Sequence, residues 1–360
     1  VTHRAYRSGL MSFVVGLALV CSGLTSVATQ SRVFATNIVA LTGIGGVPVE
    51  GIAVGFILIM SGIVFRGIRE SMWVNVVSTI IEALGLVLVI TFGMSYWGSV
   101  DYFAIPPEKA DVGLALLVVQ GTALTFFAFI GFEDAINVAE ETHAPERTIP
   151  LGLISAALIA AVLYVAVAIT AVSVVPWNEL AAAPSPLTEV MKRSAPEFPP
   201  WVMTSIALFA VGNTALVNYI TASRMLYGMA QQNLLPDHLG RVHEERRTPH
   251  FAIVALLAIL IPLALLGSIK ELASATVLLL LFVFAVVNGA LAILQWRAGE
   301  APGRFEIPRF VPILGMIVCA GLIIVRLLSS DWTAPALAGG LLAGILIIYA
   351  ILRPVVPDAT

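Results

Sequence analysis

Charged residues are scarce in this chain of 360 residues. Asp, Glu, Lys and Arg make up 11% of it, whereas hydrophobic residues make up 59%. A typical soluble domain is roughly 25% charged, and the mean hydropathy here is +0.98. A soluble protein of this size would need far more polar surface. The composition therefore excludes a soluble globular protein and indicates a polytopic membrane protein.

Cysteine and histidine are also few. The two cysteines, Cys21 and Cys319, lie inside apolar runs, which indicates small core residues rather than a disulfide or metal framework. None of the five histidines lies within a predicted span, which argues against haem or a His-built metal site in the membrane. The sequence has no Walker motif, no Gly-rich dinucleotide turn and no G-x-S-x-G elbow. We expect no enzyme activity, no metal or other cofactor, no nucleic-acid partner and no ATP-driven transport by this chain alone.

Long apolar runs, by contrast, recur along the whole sequence. A membrane-spanning helix needs about 20 predominantly apolar residues. The runs predict an all-α polytopic membrane protein with about ten transmembrane helices. We place these helices at 10–33, 47–65, 73–92, 112–138, 151–175, 201–225, 251–269, 272–294, 310–328 and 334–352.

The basic residues predict the orientation in the membrane. Most of the 19 Lys and Arg residues fall in loops on the same side as the first residue. Cytoplasmic loops carry the excess of Lys and Arg, so both ends of this chain are predicted to be cytoplasmic. Arg32, near the outer end of the first span, is expected to extend its guanidinium group to the interface. The outer side otherwise holds Lys109, Lys192, Arg193, Lys270 and Arg326.

The fourth predicted span, 112–138, contains an interruption. Its apolar run is broken at Gly131, and Glu133 and Asp134 follow closely. Backbone polar groups in hydrocarbon must be satisfied internally, so a break is tolerated only where it lines a cavity or is packed in protein. Broken helices at membrane depth are how many transporters expose backbone dipoles to a substrate. The sequence therefore predicts a functional break in this span.

Four motifs carry a family resemblance. The stretch FFAFIGFEDAINVAEETHAPERTIP resembles the sixth helix and following loop of the amino acid–polyamine–organocation (APC) permeases. GIRESMWVNVVSTIIEALGLVLVI is similar to that family's loop into helix five, and SRMLYGMAQQNLLPDHLGRVHEERRTPH resembles the end of helix eight with its loop. FEIPRFVPILG is similar to the entry into helix eleven. The motifs occur in the family's order and span nearly the whole chain.

The resemblance implies a LeuT-like fold of two inverted five-helix repeats, which is only partly present here. The first span of this chain matches helix three of the family, and family helices one and two have no counterpart in the sequence. Residues 1–360 then form a single permease domain. Within it, 10–92 is the remainder of the first repeat, 112–294 is the second repeat, and 310–352 holds two additional helices.

Two carboxylates are candidates for proton coupling or gating. Glu82 lies about ten residues into its span, so about 15 Å deep, where a charge costs on the order of 2.5–3.5 kcal/mol. The resemblance places a lysine of many proton-coupled relatives at this position; the alternative role is a neutral glutamate bonded to a neighbouring helix. Glu133 follows the break, where the arginine/agmatine antiporter branch has a coupling glutamate. It can equally cap the second half-helix, where the helix dipole favours a carboxylate.

Other residues are candidates for substrate contact. Carbonyl groups freed by the break can accept hydrogen bonds from an ammonium group. Asn213 and Asn218 either line the same cavity or form hydrogen bonds between helices. For Phe127 the resemblance suggests an aromatic gate, and ordinary packing is the alternative. The predicted substrate-binding residues are Phe127, Ala128, Phe129, Ile130 and Gly131.

These features together predict an amino acid permease of the plasma membrane. It would work by alternating access as a secondary active transporter, with a proton as co-substrate or with a counter-substrate in exchange. The partners implied are an amino acid, a proton or counter-substrate, and the lipid bilayer. The alternative, supported by the missing counterparts of two helices, is a transport-inactive remnant or a permease-like membrane sensor.

Overall fold

The computed structural model describes residues 2–43, 46–67, 71–105, 113–132, 142–183, 185–243, 246, 248–297, 306–328 and 332–354. All regular secondary structure within these residues is helical. The α-helices are α1 Thr2–Tyr6, α2 Gly9–Thr42, α3 Val49–Arg66, α4 Ser71–Gly93, α5 Leu114–Thr125, α6 Pro145–Val174, α7 Trp177–Ala182, α8 Pro186–Ser194, α9 Pro200–Gln231, α10 His250–Leu266, α11 Ile269–Trp296, α12 Phe310–Leu328 and α13 Thr333–Leu352.

The predicted all-α membrane architecture is confirmed. Among the described residues, eight helices are long and apolar enough to cross a membrane. The apolar helix α10, with 17 residues, and the 12-residue helix α5 are shorter. Each of the ten predicted spans therefore corresponds to one helix in the structure.

Several helices run well beyond the predicted spans. Helix α2 has 34 residues and α9 has 32, so they are about 48–51 Å long, whereas the hydrocarbon core is about 30 Å thick. The prediction ends the first span at residue 33, whereas α2 continues to Thr42 through a mostly apolar segment. The Ser8 side chain accepts a hydrogen bond from the Met11 N–H at the start of α2, and Gly43, with φ +65°, ends this helix.

Helix α2 lies at the centre of the bundle. It packs against α3, α9, α10, α11 and α13, and its Phe13, Leu24 and Val27 are fully buried. Small polar side chains join it to its neighbours. The hydroxyl oxygens of Thr25 on α2 and Thr276 on α11 are 2.7 Å apart. Such hydrogen bonds and close packing hold membrane helices together, because lipid supplies no hydrophobic force between them.

An ion pair also ties α2 to its neighbours. Arg32 donates hydrogen bonds from Nη1 to Glu50 Oε1 of α3 at 3.0 Å and to the carbonyl oxygen of Ala264 on α10 at 3.2 Å. The Arg32 side chain is only 16% exposed. The guanidinium group is therefore held between three helices, where an acidic partner is available, instead of extending freely to the interface.

Candidate functional site

The α-helix of the fourth predicted span ends shortly before Gly131, where the sequence predicts a break, and the remainder of that span, 133–138, lies outside the described residues. Helix α5 ends at Thr125, and a 3-10 turn follows it over Phe126–Phe129. Ile130 is then extended, with φ −70° and ψ 142°, and Gly131 has φ +122°. This φ is in a region that side chains with a Cβ rarely adopt, which explains the glycine. A Cβ at Gly131 would meet nothing within 4 Å, so the requirement comes from the backbone and not from crowding.

Aromatic contacts fix the interruption against the last helices of the bundle. The Phe126 and Phe132 rings lie 6.2 Å and 5.3 Å from the Phe284 ring of α11, centroid to centroid. Phe127 and Ile130 are half-buried and pack against a cluster of α11 and α12 side chains. Phe127 therefore has the contacts of a packing residue. Ala128, Phe129 and Gly131 remain exposed on the surface of the described structure.

Glu82 lies at the midpoint of α4, eleven residues from Ser71 and eleven from Gly93. Its side chain is half-buried, and its Oε1 accepts a hydrogen bond from Asn213 Nδ2 of α9 at 3.5 Å. Among the described residues, no basic side chain forms a salt bridge with Glu82. A carboxyl group held by a neutral amide can gain or lose a proton without breaking an ion pair.

Tyr164 lies beside the end of α5. Its ring stands edge-on to the Phe129 ring, with 5.3 Å between centroids. Tyr164 belongs to α6, which packs against α4, the helix of Glu82. Sequence reasoning missed Tyr164, although a tyrosine in the middle of an apolar run was an available signal.

Asn218 has other partners than Asn213. Asn218 Nδ2 donates to the Thr214 carbonyl oxygen at 3.0 Å and to Ser26 Oγ of α2 at 3.4 Å, so it links two helices. Glu133 lies outside the described residues. Within the described part of the chain, no group of three or more His, Cys, Asp or Glu side chains is placed to hold a metal ion.

Comparison with known proteins identifies relatives among transporters. The chain is 26% identical over 342 residues to the branched-chain amino acid permease BcaP of Bacillus subtilis, covering 88% of this chain and 71% of that protein. It is 26% identical over 321 residues to the methylthioribose transporter of the same organism, covering 86% and 67%. The vacuolar cationic amino acid transporter 8 of Arabidopsis thaliana is 22% identical over 293 residues, covering 81% of this chain and 49% of that protein. The match thus spans about half of the plant protein's length.

A family model extends over almost the whole chain. The model described as amino acid permease matches residues 2–355, which include all of the described helices. The relatives are permeases and transporters, as the family's motifs predicted, and none of those named here is an enzyme. The chain belongs to the amino acid permease family, within the APC superfamily.

Proposed function

We propose that this protein transports amino acids across a membrane as a secondary active permease. The observation that carries the proposal is the contact between Glu82 and Asn213 at the midpoint of a membrane helix, in a member of the amino acid permease family. A carboxyl group at that depth is expensive and is by default a functional group. Helix α6 packs against the helix of Glu82, and its Tyr164 ring meets Phe129 in the segment best suited to contact a substrate.

In this proposal the interrupted segment forms the substrate contact. Where an α-helix ends, its last carbonyl groups have no partner one turn ahead, and such groups can accept hydrogen bonds from the ammonium group of an amino acid. The Phe127 carbonyl oxygen already accepts the Ile130 N–H at 3.3 Å, so we propose that the carbonyl groups of Ala128 and Phe129 in the turn at Phe126–Phe129 meet the substrate. The exposed Phe129 ring and Gly131 backbone are the parts of the turn that remain accessible.

Glu82 is proposed to link transport to a proton. When ionised, it accepts the Asn213 hydrogen bond and carries a charge that the bundle must accommodate. When protonated, it is neutral, and the helices around it can repack without burying a charge. A substrate that binds one of these two states better shifts the equilibrium between them, which makes alternating access depend on the proton. Exchange against a counter-substrate uses the same site without net proton movement.

The setting of this activity is part of the proposal. We propose a location in the plasma membrane. The excess of basic residues in alternate loops supports an orientation with both ends of the chain in the cytoplasm. We also propose that 10–92 belong to a first repeat, 112–294 to a second, inverted repeat, and 310–352 to two additional helices. Under this division, Glu82 comes from one repeat and Asn213 and Tyr164 from the other.

Uptake into proteoliposomes tests the transport activity. The relatives differ in their named substrates, so the panel contains labelled leucine, isoleucine, valine, arginine and lysine. Each is offered with the interior preloaded or empty, and with or without a pH gradient. We expect saturable uptake of at least one amino acid. No uptake or exchange of any amino acid above protein-free liposomes contradicts the proposal and favours a transport-inactive protein.

Glu82→Gln tests the proton link separately. A gradient of one pH unit supplies about 1.36 kcal/mol per proton, enough for about tenfold accumulation at one proton per substrate. The variant should still exchange substrate but lose this gradient-driven accumulation. Glu197→Gln is the matched control, because Glu197 is exposed between α8 and α9. Accumulation that survives in Glu82→Gln removes Glu82 from the coupling mechanism.

Tyr164→Phe tests whether the tyrosine hydroxyl group takes part in coupling. The variant keeps the ring that meets Phe129 but loses the hydroxyl group. If the hydroxyl group influences Glu82, the pH dependence of uptake shifts while substrate affinity is retained. A change in affinity with an unaltered pH profile assigns Tyr164 to the substrate segment alone.

A further inference from the structure

A cavity of about 670 Å³ opens between α1, the first turns of α2 and the last turns of α9. It lies at the end of the bundle where the described chain begins, away from the contact between Glu82 and Asn213. From α2 it is lined by Ser12, Val15, Gly16 and Leu19. These positions are spaced three or four residues apart, so they form one face of the helix.

Helix α9 supplies the opposite wall with the same spacing. Thr221, Arg224, Met225 and Gly228 lie on one face of this helix and line the cavity. Gly228 keeps the space open, since a Cβ added there would meet no atom within 4 Å. The cavity is therefore a gap between two facing helix surfaces, and its size depends on the small residue at Gly228.

The polar groups of the cavity favour an anion. Arg224 supplies a permanent positive charge, and Ser12, Thr221, Gln232 and Asn233 supply hydrogen-bond donors. Among the lining residues, all in the described part of the chain, none is aspartate or glutamate. An amino acid would leave its ammonium group without a charged partner here. A ligand that carries only negative charge suits this lining better.

The position of Arg224 along α9 matches the level of lipid headgroups. Helix α9 has 32 residues and is therefore about 48 Å long. The hydrocarbon core is about 30 Å thick, so the helix extends about 9 Å beyond it at each end. Arg224 lies seven residues, or about 10 Å, before the last residue of the helix, Gln231. Its guanidinium group can thus be reached by a phosphate at the membrane boundary.

The apolar part of the lining shows what else the ligand must contain. Val15, Leu19, Met225 and Met229 line the cavity beside the polar residues. A free inorganic anion would contact only the polar residues. We propose that this cavity binds the phosphate headgroup of an anionic lipid, with Arg224 as its counter-charge and the upper acyl chain against the apolar walls.

Thermal unfolding of the purified protein in a non-ionic detergent tests the site without any transport assay. The probes are dihexanoyl-phosphatidylglycerol, dihexanoyl-phosphatidylcholine and inorganic phosphate at equal ionic strength. A ligand that binds the folded state raises Tm with its concentration, which yields an apparent Kd. We expect the anionic lipid to raise Tm saturably, and the other two probes to bind at least tenfold more weakly.

Three variants show where the lipid binds. Arg224→Gln should weaken the apparent affinity for the anionic lipid by roughly tenfold or more, as expected for a lost charge-assisted hydrogen bond. Gly228→Leu fills the cavity and should abolish the Tm rise. Leucine also favours the helix over glycine, so this variant should fold. Arg241→Gln is the control, since Arg241 is exposed and does not line the cavity.

Three outcomes overturn the proposal. An equal Tm rise with the zwitterionic lipid shows that the charge of the headgroup is not recognised. An equal rise with inorganic phosphate, lost in Arg224→Gln, establishes an anion site but rejects the lipid. Undiminished binding of the anionic lipid by folded Gly228→Leu places it elsewhere. None of these outcomes depends on whether the protein transports amino acids.

Discussion

The hydroxyl group of Tyr219 offers the sharpest test of how the bundle is held together. This residue of α9 is fully buried, with 0% of its surface exposed. Its Oη accepts a hydrogen bond from Ser61 Oγ of α3 at 2.8 Å and donates one to the carbonyl oxygen of Ile253 on α10 at 3.0 Å. Tyr219→Phe removes both bonds but leaves the ring in place, so it changes polar contacts with little loss of volume.

The size of the effect follows from the environment of these two bonds. A neutral hydrogen bond contributes about 0.5–1.5 kcal/mol in soluble proteins, and side-chain bonds between membrane helices average about 0.6 kcal/mol. Ser61 can turn its hydroxyl group to a carbonyl one turn earlier in its own helix and so recover part of the loss. We therefore expect Tyr219→Phe to lower the free energy of unfolding by about 1–2 kcal/mol.

Unfolding in mixed micelles with increasing SDS, followed by circular dichroism, measures this change. Tyr349→Phe is the control, since the Tyr349 ring packs edge-on to Phe13 at 5.2 Å and its hydroxyl group has no hydrogen bond among the described residues. A cycle with Ser61→Ala isolates the pair, and its coupling energy should be about 0.6 kcal/mol. A wild-type unfolding curve for Tyr219→Phe, or no coupling to Ser61, would refute the assignment of these bonds.

Three further substitutions test separate features of the bundle. Gly131→Ala should destabilise the protein by about 1–3 kcal/mol through backbone strain alone, because the added methyl group meets open space; an unchanged unfolding curve would contradict this. Gly93→Ala should lower the free energy of unfolding by about 1–3 kcal/mol through overpacking, since the added Cβ would lie 2.2 Å from Thr170 Cγ2. A stability equal to wild type would show that α4 and α6 are not packed this closely. Arg32→Met should lower stability by about 1 kcal/mol, because the carboxylate partner Glu50 is 43% exposed and water screens the pair. This loss should shrink in a Glu50→Gln background, and two additive losses would exclude the ion pair.

Much of the fold could be predicted from the sequence because its signals are local. Among the described residues, eight helices are apolar runs long enough to cross a membrane, and the order of the runs in the sequence determines the order of the helices. The break at Gly131 was equally local, since a glycine in an apolar run followed by acidic residues conflicts with a continuous span. Helix ends were less accessible, as the 34 residues of α2 show.

The candidate site could be predicted only in part. Glu82 was identified because a carboxyl group is conspicuous in an apolar run. Its partner was not identifiable, because Asn213 is 131 positions away. Asn213 and Asn218 had the same two possible roles in the sequence, yet one contacts Glu82 and the other contacts Ser26. Asn213 and Asn218 are five residues apart, which corresponds to a rotation of about 500° around the helix axis, or about 140° beyond a full turn. The two side chains therefore face different neighbours.

The sequence by itself therefore determined the class of protein, the order of its apolar helices, and the place where the α-helix of the fourth predicted span ends. These properties depend on how lipid selects apolar residues and satisfied backbone along a single segment. The tertiary structure alone decided which polar groups meet: Glu82 with Asn213, Tyr164 with Phe129, and Arg32 with Glu50. A helix that is apolar on nearly all sides has no single hydrophobic face, so its sequence does not show which side faces its neighbours. The direction in which each side chain points is decided only when the helices pack.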